Sequence, residues 1–332
     1  MGENMATVVD VAELAGVSVA TVSRVIRDSN KVSDDKREKV MNAIEELGYK
    51  MDPNSTGRLR KKILYVVCGG SQDEFVDNIL EIANESGYEI AVEYTAGLPL
   101  EMNTFMKKLL KNKIISGVLT CGLPPESGKA LREIDQIVPV VQCCDEIMTE
   151  NSFVVSSDDV MMGHDAVLHL SKKGCRRIAF LGLGKMKNPF KYSHAREMGY
   201  RVAHAELGIP VDENLIKQCD LTADSVYRAL DELRKLPEMP DAIFCARDST
   251  AVFAVNKLTR DGIRIPDNIS IMGCGSAESA ERSWLPLSNV TQSYYEIGLE
   301  AINLMNARIM GKTVLGRRLN IKHTIVDRET TK

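Results

Sequence analysis

The chain has 332 residues, of which 44% are hydrophobic and 27% charged, and its formal net charge is −4. These proportions are near the globular average and exclude wholesale disorder, while the length exceeds one ordinary domain of about 100–200 residues. The chain contains no run of 18 apolar residues, so the sequence predicts no membrane-spanning helix. Residues 1–11 lack the basic start and apolar stretch of a secretory signal, so we expect a cytoplasmic protein.

The first predicted unit is a bundle of three short helices. Thr7 is a predicted N-cap, with Asp10 as the reciprocal partner of a capping box. Gly16 is expected to end the first helix, because glycine tolerates the positive φ of a tight turn. Ser18 is expected to begin a second helix and Ser33 a third. Two helices joined by a glycine turn and followed by a third predict a helix-turn-helix.

The second of these helices has two chemically different faces. Val22, Val25 and Ile26 are predicted to point inward. The outward side chains are small apolar groups, hydroxyls and arginines, namely Val19, Ala20, Ser23, Arg24 and Arg27. In the major groove of DNA, arginine pairs bidentately with guanine and small apolar groups contact the thymine methyl. The pattern predicts a DNA-reading face; the alternative is a plain three-helix bundle with a solvated face.

From Ile63 onward, short apolar runs alternate with amphipathic helices. The runs predicted as strands are 63–68, 88–94, 117–121, 138–143, 153–156, 177–181, 242–245 and 269–274. Such alternation predicts parallel sheets with helices on both faces. Because about 270 residues are more than one sheet is expected to hold, we expect two α/β lobes. A ligand would bind beyond the carboxyl ends of the strands, in the cleft between the lobes.

The run from Ala6 to Val25, ATVVDVAELAGVSVATVSRV, closely resembles the N-terminal signature of the lac-repressor family of bacterial transcription regulators. The similarity continues along the chain, at 32–49, 173–180, 196–200, 242–248, 262–271 and 286–292. The resemblance implies an α/β fold class, with an all-α helix-turn-helix head and a core like that of periplasmic sugar-binding proteins. It also implies a dimer.

This resemblance sets the expected domain boundaries. The DNA-binding domain is expected at 1–50, a hinge or linker at 51–62, and an effector-binding and dimerisation core at 63–332. The N-terminal lobe of that core is expected to span about 63–160 and 291–320. The C-terminal lobe is expected to span about 161–290 and 321–332.

The resemblance also implies roles for residues of the head and the hinge. The side chains implied to contact base edges are Val19, Ala20 and Arg24. Those implied to contact phosphates are Thr7, Ser18, Thr21, Ser23 and Ser33. In the family, a hinge helix ends in a leucine that enters the minor groove. Here Pro53-Asn54 is displaced by two residues, Gly57 falls inside the helix, and only one of three registers puts Leu59 at that position, so we expect little bending of DNA.

The implied effector cleft departs from the family pattern. The residues expected to line it are Phe75, Asp158, Arg196, Arg247, Asp248 and Ser276. The segment Cys274–Ser276 stands where the family carries an aromatic residue and two aspartates, and Arg247 stands where an asparagine is common. A lost carboxylate and a gained guanidinium favour an anionic ligand. The alternative is that Arg247 pairs with Asp248 or Glu278.

Two further expectations concern the walls of the cleft. Asp158 is expected to orient Arg196, and Phe75 to form an apolar wall. Five cysteines are predicted to end strands: Cys68, Cys121, Cys143, Cys245 and Cys274. Buried cysteine behaves as a small hydrophobe, which is the favoured interpretation. The alternative is a thiol-lined pocket that senses a metal or an electrophile, although no spacing indicates a specific metal site.

The expected function is that of a sequence-specific DNA-binding regulator, a repressor controlled by an effector in the cleft. The expected partners are double-stranded, pseudo-palindromic operator DNA, a small-molecule effector (a sugar, a sugar phosphate or another anion), a second copy of the chain and a protein co-regulator, with no membrane, metal or cofactor. The alternative is a soluble ligand-binding protein or an α/β enzyme. The enzyme alternative is weak because 182–184 lacks the third glycine of a dinucleotide site.

Overall fold

The computed structural model describes residues 7–26, 32–49, 62–69, 73–111, 114–144, 147, 153–184, 191–312, 314 and 317–332. The chain divides into two compact units, Met1–Lys61 and Lys62–Lys332. Arg27 and Leu59, with the predicted hinge, lie outside the described residues. In the part of the chain that is described, no helix is long and apolar enough to cross a membrane.

The first unit contains helices α1 (Val8–Leu14), α2 (Val19–Ile26) and α3 (Asp34–Glu46). The predicted capping box is confirmed, since Thr7 N donates to Asp10 Oδ2 at 2.6 Å and Asp10 N donates to Thr7 Oγ1 at 3.4 Å. The turn after α1 has Gly16 at φ 63°, as predicted. Each helix contributes one fully buried valine to a shared apolar core, namely Val11, Val22 and Val40. Local capping and one shared apolar core therefore form the helix-turn-helix.

The second unit alternates strands and helices. Its strands are β1 (Lys62–Cys68), β2 (Tyr88–Tyr94), β3 (Ile115–Cys121), β4 (Val140–Cys143), β5 (Phe153–Ser156), β6 (Ile178–Gly182), β7 (Ile216–Gln218), β8 (Ala242–Cys245), β9 (Ser270–Gly275), β10 (Ser288–Thr291), β11 (Arg318–Asn320) and β12 (Thr324–Val326). Its helices are α4 (Asp73–Glu85), α5 (Thr104–Lys111), α6 (Gly128–Asp135), α7 (Asp159–Lys172), α8 (Lys191–Glu206), α9 (Ala223–Arg234), α10 (Asp248–Arg260), α11 (Ala277–Glu281) and α12 (Tyr294–Ile309).

These strands form two separate sheets. The first sheet has the order β11-β5-β4-β3-β1-β2, and the second has the order β12-β10-β9-β8-β6-β7. Their strand pairs are parallel, except that β12 runs antiparallel to β10 at one edge of the second sheet. Each sheet has a hydrophobic cluster on either face, because helices cover both faces. The predicted fold class is confirmed.

The chain passes between the two sheets at the segments after β5, after β10 and after β11. Backbone hydrogen bonds hold these segments in place. Ile321 N donates to Ser156 O at 2.8 Å, and Gln292 N donates to Gly275 O at 2.9 Å. The carboxyl ends of both sheets consequently meet at one cleft, which is where open parallel sheets bind ligands.

Candidate functional site

In the first unit, the outward face of α2 is built as the sequence predicts. Val22 and Val25 are buried, whereas Ala20 and Arg24 are exposed and the Val19 side chain is 41% exposed. The exposed part of Val19 is an apolar surface that has no packing partner among the described residues of its own unit. The face therefore presents two small apolar groups and one guanidinium to the surroundings.

Four of the five hydroxyls expected near phosphates lie at helix N-termini, and the fifth, that of Ser23, lies in the middle of α2. Ser18 Oγ accepts a hydrogen bond from Thr21 N at 3.2 Å and lies 2.9 Å from Thr21 Oγ1. Ser33 is exposed at the N-cap position of α3, and its side chain makes no capping hydrogen bond to the described residues. Thr7 is exposed at the start of α1, and Ser23 is half-buried. Helix N-termini favour anions because their first N–H groups lack partners within the helix.

In the second unit, a cavity with about 620 Å³ of empty volume, partly open solvent, lies at the carboxyl ends of both sheets. One side, the thiol wall, continues from the first sheet and consists of Cys121, Gly122, Cys144, Ser156 and Ser157. The opposite side, the charged wall, belongs to the second sheet and its helices and consists of Asp159, Tyr192, Arg196, Arg247, Cys274 and Gly275. Gln292 and Tyr294, which follow β10, complete the lining.

Arg196 is the buried centre of the charged wall. Its side chain is 5% exposed, and Nε and Nη2 donate to Asp159 Oδ1 at 2.9 and 2.8 Å. Nη1 donates to the carbonyl oxygen of Ala246 at 2.6 Å, and the guanidinium lies 4.8 Å from the ring centre of Tyr192. These contacts fix the orientation of Arg196, because a guanidinium presents its donors in a rigid plane.

The expectation that Asp158 orients Arg196 is corrected by the structure, in which the partner is Asp159. Asp158 is the N-cap of α7, and its Oδ1 accepts hydrogen bonds from Val160 N and Met161 N, both at 3.1 Å. The first carboxylate of the pair therefore satisfies helix donors, and the second is the one that reaches the guanidinium.

Close contact between α7 and α8 brings Asp159 to Arg196. A Cβ at Gly163 would lie 2.1 Å from Arg196 O, and a Cβ at Gly199 would lie 1.9 Å from Val160 O. Each helix backbone therefore occupies the space that a side chain of the other would need. Glycine at the two crossing points sets the distance between the carboxylate and the guanidinium.

Arg247 supplies the second positive charge of the charged wall. It stands in extended backbone immediately before α10 and lines the cavity beside the Tyr192 hydroxyl. Neither of the carboxylates expected as alternatives pairs with it. Asp248 accepts hydrogen bonds from Ser276 N at 3.0 Å and Asn289 Nδ2 at 3.2 Å, and Glu278 is ion-paired with Arg282.

Glycine follows Cys274 because Asp248 fills the adjacent space. A Cβ at Gly275 would lie 2.3 Å from Asp248 Oδ2. No side chain fits at 275 while Asp248 keeps its hydrogen bonds, so this stretch contributes backbone to the charged wall and no carboxylate.

Phe75, Asp248 and Ser276 lie behind the lining, so the expectation that they line the cleft is corrected. Phe75 is fully buried and packs edge-to-face against Tyr294, with ring centres 6.1 Å apart. The Ser276 hydroxyl donates to Glu74 on α4, which joins the two sheets, and burial raises the pKa of Glu74. These three residues support the walls from outside the cavity.

Two tyrosines and one cysteine beside the arginines hold their protons more tightly than they would in water. Burial raises the pKa of the Tyr192 and Tyr294 hydroxyls, and it raises the pKa of the Cys274 thiol to about 12. All eight cysteines lie within the described residues and are free thiols; seven are buried, and Cys144 is half-buried. Across the described ranges, no group of three or more His, Cys, Asp or Glu could hold a metal.

Sequence reasoning missed Asp159, Tyr192, Ser156, Ser157, Gln292 and Tyr294 as lining residues. Two signals were present: Tyr192 stands one helical turn before Arg196, and Ser156 ends the strand Phe153–Ser156 with Ser157 directly after it. Both positions place a side chain at the carboxyl edge of a sheet.

A helix-turn-helix unit and a core of two parallel sheets around a polar cleft define a two-unit DNA-binding regulator. Residues 7–54 match the model of the bacterial regulatory proteins of the lacI family, and residues 167–331 match a periplasmic binding protein-like domain. The chain belongs to the lacI family, since it is 31% identical over 318 residues to the transcriptional repressor CytR of Escherichia coli K12, covering 94% of this chain and 92% of that protein.

Other relatives agree over nearly the whole length. The transcriptional regulator DegA of Bacillus subtilis is 31% identical over 339 residues, with 98% of each chain covered. A solved complex of the regulator CelR with cellobiose matches with a TM-score of 0.67 at 28% identity, covering 98% of this chain and 99% of that one. The lac repressor dimer bound to operator has the same fold, with a TM-score of 0.68 at 23% identity, covering 98% and 99%.

Proposed function

We propose that this protein is a transcriptional repressor that binds a pseudo-palindromic operator as a homodimer and changes its affinity for DNA when a small molecule occupies the cleft. The observation that carries the proposal is the exposed face of α2, opposite the buried Val22 and Val25. CytR is a repressor, the lac repressor is solved as a dimer on its operator, and CelR is solved with a sugar. These relatives are regulators, which supports a role without catalysis.

The division of labour follows the two units. Residues 1–50 read DNA, 51–62 connect, and 63–332 bind the effector and the second protomer. In the core, the N-terminal lobe is assigned 63–160 and 291–320, and the C-terminal lobe 161–290 and 321–332. Two copies of the head would then read two half-sites, whose spacing mirrors the two-fold axis of the dimer.

In the head, Arg24, Val19 and Ala20 contact base edges. Val19 and Ala20 suit the thymine methyl, and Arg24 suits the two acceptors of guanine. The hydroxyls that contact phosphates are those of Thr7, Ser18, Thr21, Ser23 and Ser33. These contacts set the register on DNA and carry no base preference.

Regulation is a linkage between the two sites. An effector that binds one arrangement of the two lobes better than another shifts the population toward it, and only that difference in affinity can act on the heads. Coupling of this kind is typically about 1–3 kcal/mol. Bound effector should therefore change operator affinity between about 5-fold and 150-fold.

The decisive test begins with the operator. Duplexes are selected from a random library by wild-type protein, and affinity for the selected operator and for random DNA is measured at one salt concentration. Arg24→Ala should weaken operator binding by about 1–3 kcal/mol, with a smaller loss on random DNA and relaxed preference at one base pair per half-site.

Lys39→Ala is the matched control for loss of one positive charge in the head. Lys39 lies on α3 with its side chain 58% exposed, and it is ion-paired with Asp35 at 3.0 Å. It should change both affinities slightly and equally. Equal losses on operator and random DNA for Arg24→Ala would make Arg24 a phosphate contact. Failure of the wild-type protein to enrich any sequence would refute the DNA-binding function.

A further inference from the structure

The charges that line the cleft do not cancel. Arg196 and Arg247 oppose the single carboxylate of Asp159, so the lining carries a net charge of +1. The other ionisable side chains there are thiols and phenols. Cys274 and the two tyrosines are neutral because burial raises the pKa of each. A cavity with low-dielectric walls and one sign of charge attracts ligands of the opposite sign.

Hydrogen-bond donors in the lining are also in excess. Arg196 has five N–H groups, and the contacts to Asp159 and to the Ala246 carbonyl account for three of them. Arg247 lines the cavity, and no carboxylate among the described residues forms an ion pair with it. Asp159 is the acceptor already used by Arg196, so its charge does not compensate Arg247.

Two buried hydroxyls on the opposite wall can each donate one further hydrogen bond. Ser156 and Ser157 are 4% and 3% exposed, and their Oγ atoms have no hydrogen-bond partner among the described residues. A buried polar group without a partner is destabilising, and in native proteins most such groups are satisfied. Both serines line the cavity. A ligand rich in acceptor oxygens would supply the partner that the protein does not.

A neutral sugar would find a poor match. Sugar hydroxyls donate as well as accept, and a carboxylate is the side chain that takes two such donors. In this lining the one carboxylate, Asp159, is held by Arg196 through Oδ1, which leaves only Oδ2 to accept from a ligand. The carboxylate of Asp248 is turned to Ser276 N and Asn289 behind the wall. A side chain at 275 would collide with Asp248, so the strand end cannot supply another.

We propose that the effector of this regulator is a small anion, bearing a carboxylate or phosphate group that Arg247 and the remaining N–H groups of Arg196 bind together. The hydroxyls of Ser156 and Ser157 donate to its oxygens from the opposite wall, and Tyr192 and Tyr294 flank its uncharged part. The proposal names the ligand class of the cleft, and it rests on the proposed function only where it calls that ligand the effector.

The test is calorimetric titration of the full-length protein with matched pairs that differ in one charged group. Suitable pairs are glucose with glucose 6-phosphate, ribose with ribose 5-phosphate, and glucose with gluconate, with citrate and inorganic phosphate added as small anions. The anionic member of at least one pair should bind tenfold or more tightly than its neutral partner, since charge-assisted hydrogen bonds are roughly twice as strong as neutral ones.

Arg247→Gln should remove tenfold or more of that affinity, and Arg247→Lys should restore part of it because the charge returns without the planar fork. The control is Arg264→Gln in the same lobe, where the side chain is 73% exposed and 3.6 Å from Asp267. It removes the same charge from the protein and should leave the affinity unchanged. Should Arg247→Gln unfold, Arg247→Lys alone must still weaken the anion at least threefold.

Three results would overturn the proposal: a neutral sugar that binds as tightly as its anionic partner, no binding of any anion by the wild-type protein, or equal losses for Arg247→Gln and Arg264→Gln. Operator binding is measured separately without ligand. A protein that selects an operator but responds to a neutral sugar keeps the proposed function and loses this inference. A protein that binds an anion but no DNA keeps this inference about the ligand and loses the proposed function.

Discussion

The two walls of the cleft differ in charge and in the contacts that hold them in place. The charged wall carries fixed charges, held by a buried ion pair and by close helix contact between α7 and α8. The thiol wall carries small neutral groups at strand ends, among them Cys121, which lies in register with the buried Cys68 and Cys143 of the neighbouring strands β1 and β4. We expect the charged wall to select the ligand, since the small neutral groups of the thiol wall add no further charge that binding would bury.

The hydrogen bond between Ser276 and Glu74 shows how the walls meet. Ser276 follows β9 of the second sheet, and Glu74 lies on α4, which covers the first. This bond joins two residues that lie behind the lining, so we expect the distance between the walls to depend on residues outside the cavity. We expect the largest effects on the fold from changes to the residues that hold the charged wall in place.

The largest effect is expected from Asp159→Asn. The substitution leaves the guanidinium of Arg196, 5% exposed, without its counter-charge. Removing one partner of a buried ion pair costs about 3–5 kcal/mol, and the 20% exposure of Asp159 places the expected loss near about 3 kcal/mol. Urea unfolding of the full-length protein measures it.

Asp158→Asn is the matched control, because asparagine caps a helix about as well as aspartate. It should change the free energy of unfolding by less than about 0.5 kcal/mol. Similar losses for the two variants would mean that Asp158 and Asp159 share the guanidinium, contrary to the geometry.

The next largest effect is expected from Gly199→Ala. In most helices this change is stabilising by about 1 kcal/mol, but here the added Cβ would lie 1.9 Å from the carbonyl oxygen of Val160. Because backbone must move, we expect a net loss of about 2 kcal/mol and weaker ligand binding, as Asp159 and Arg196 separate. Thermal unfolding and calorimetry report the two effects.

Gly298→Ala in α12 is the comparison for that change. There the added Cβ would lie 3.1 Å from Ile79 Cδ1, which is the movable end of a side chain. Its loss should be below about 1 kcal/mol and ligand affinity should stay constant. If Gly298→Ala proved the more harmful of the two, the α7–α8 contact would not be what positions the charged wall.

The smallest effect is expected from pH, through His164 on α7. Nδ1 lies 2.8 Å from Asp165 Oδ1, and Nε2 lies 2.8 Å from Glu206 Oε2 on α8. Burial favours the neutral ring, but the hydrogen bonds to Glu206 and Asp165 outweigh it and raise the pKa of His164. His323 also contacts Asp165, at 2.9 Å.

A raised pKa in the folded state stabilises the fold fully below the unfolded value of about 6.5, and this stabilisation is lost as pH rises through the folded value. His164 should therefore lower the midpoint of thermal unfolding from pH 6 to pH 8, by an amount equivalent to less than about 1 kcal/mol, whereas His204, whose pKa is lowered by burial, acts in the opposite direction. His164→Gln should flatten this dependence, whereas His194→Gln, an exposed position on α8, should not. An unchanged slope in His164→Gln would exclude this histidine as the cause.

Short strands marked the limit of prediction for the fold. The longer apolar runs, such as 63–68 and 88–94, correspond to β1 and β2 with bounds that differ by no more than one residue. The missed strands β7, β10, β11 and β12 have only three or four residues each. Unlike the equally short β5 and β8, these segments are interrupted by polar residues and form no apolar run, and neighbouring strands supply the hydrogen bonds that make them strands.

What the sequence determined by itself is local. The capping box at Thr7, the positive φ of Gly16 and the two faces of α2 depend on residues within four positions of one another, so spacing alone predicts them. The same holds for the alternation of strands and helices that defined two parallel sheets.

Only the tertiary structure decided which charged side chains pair with one another. Asp159 and not Asp158 holds Arg196, Asp248 turns away from its neighbour Arg247, and Gly275 leaves room for Asp248. Each of these contacts joins elements at least 27 residues apart in the chain, apart from the cap at Asp158. Electrostatic pairing depends on distance and burial, and both are set when helices and sheets from distant parts of the chain come together.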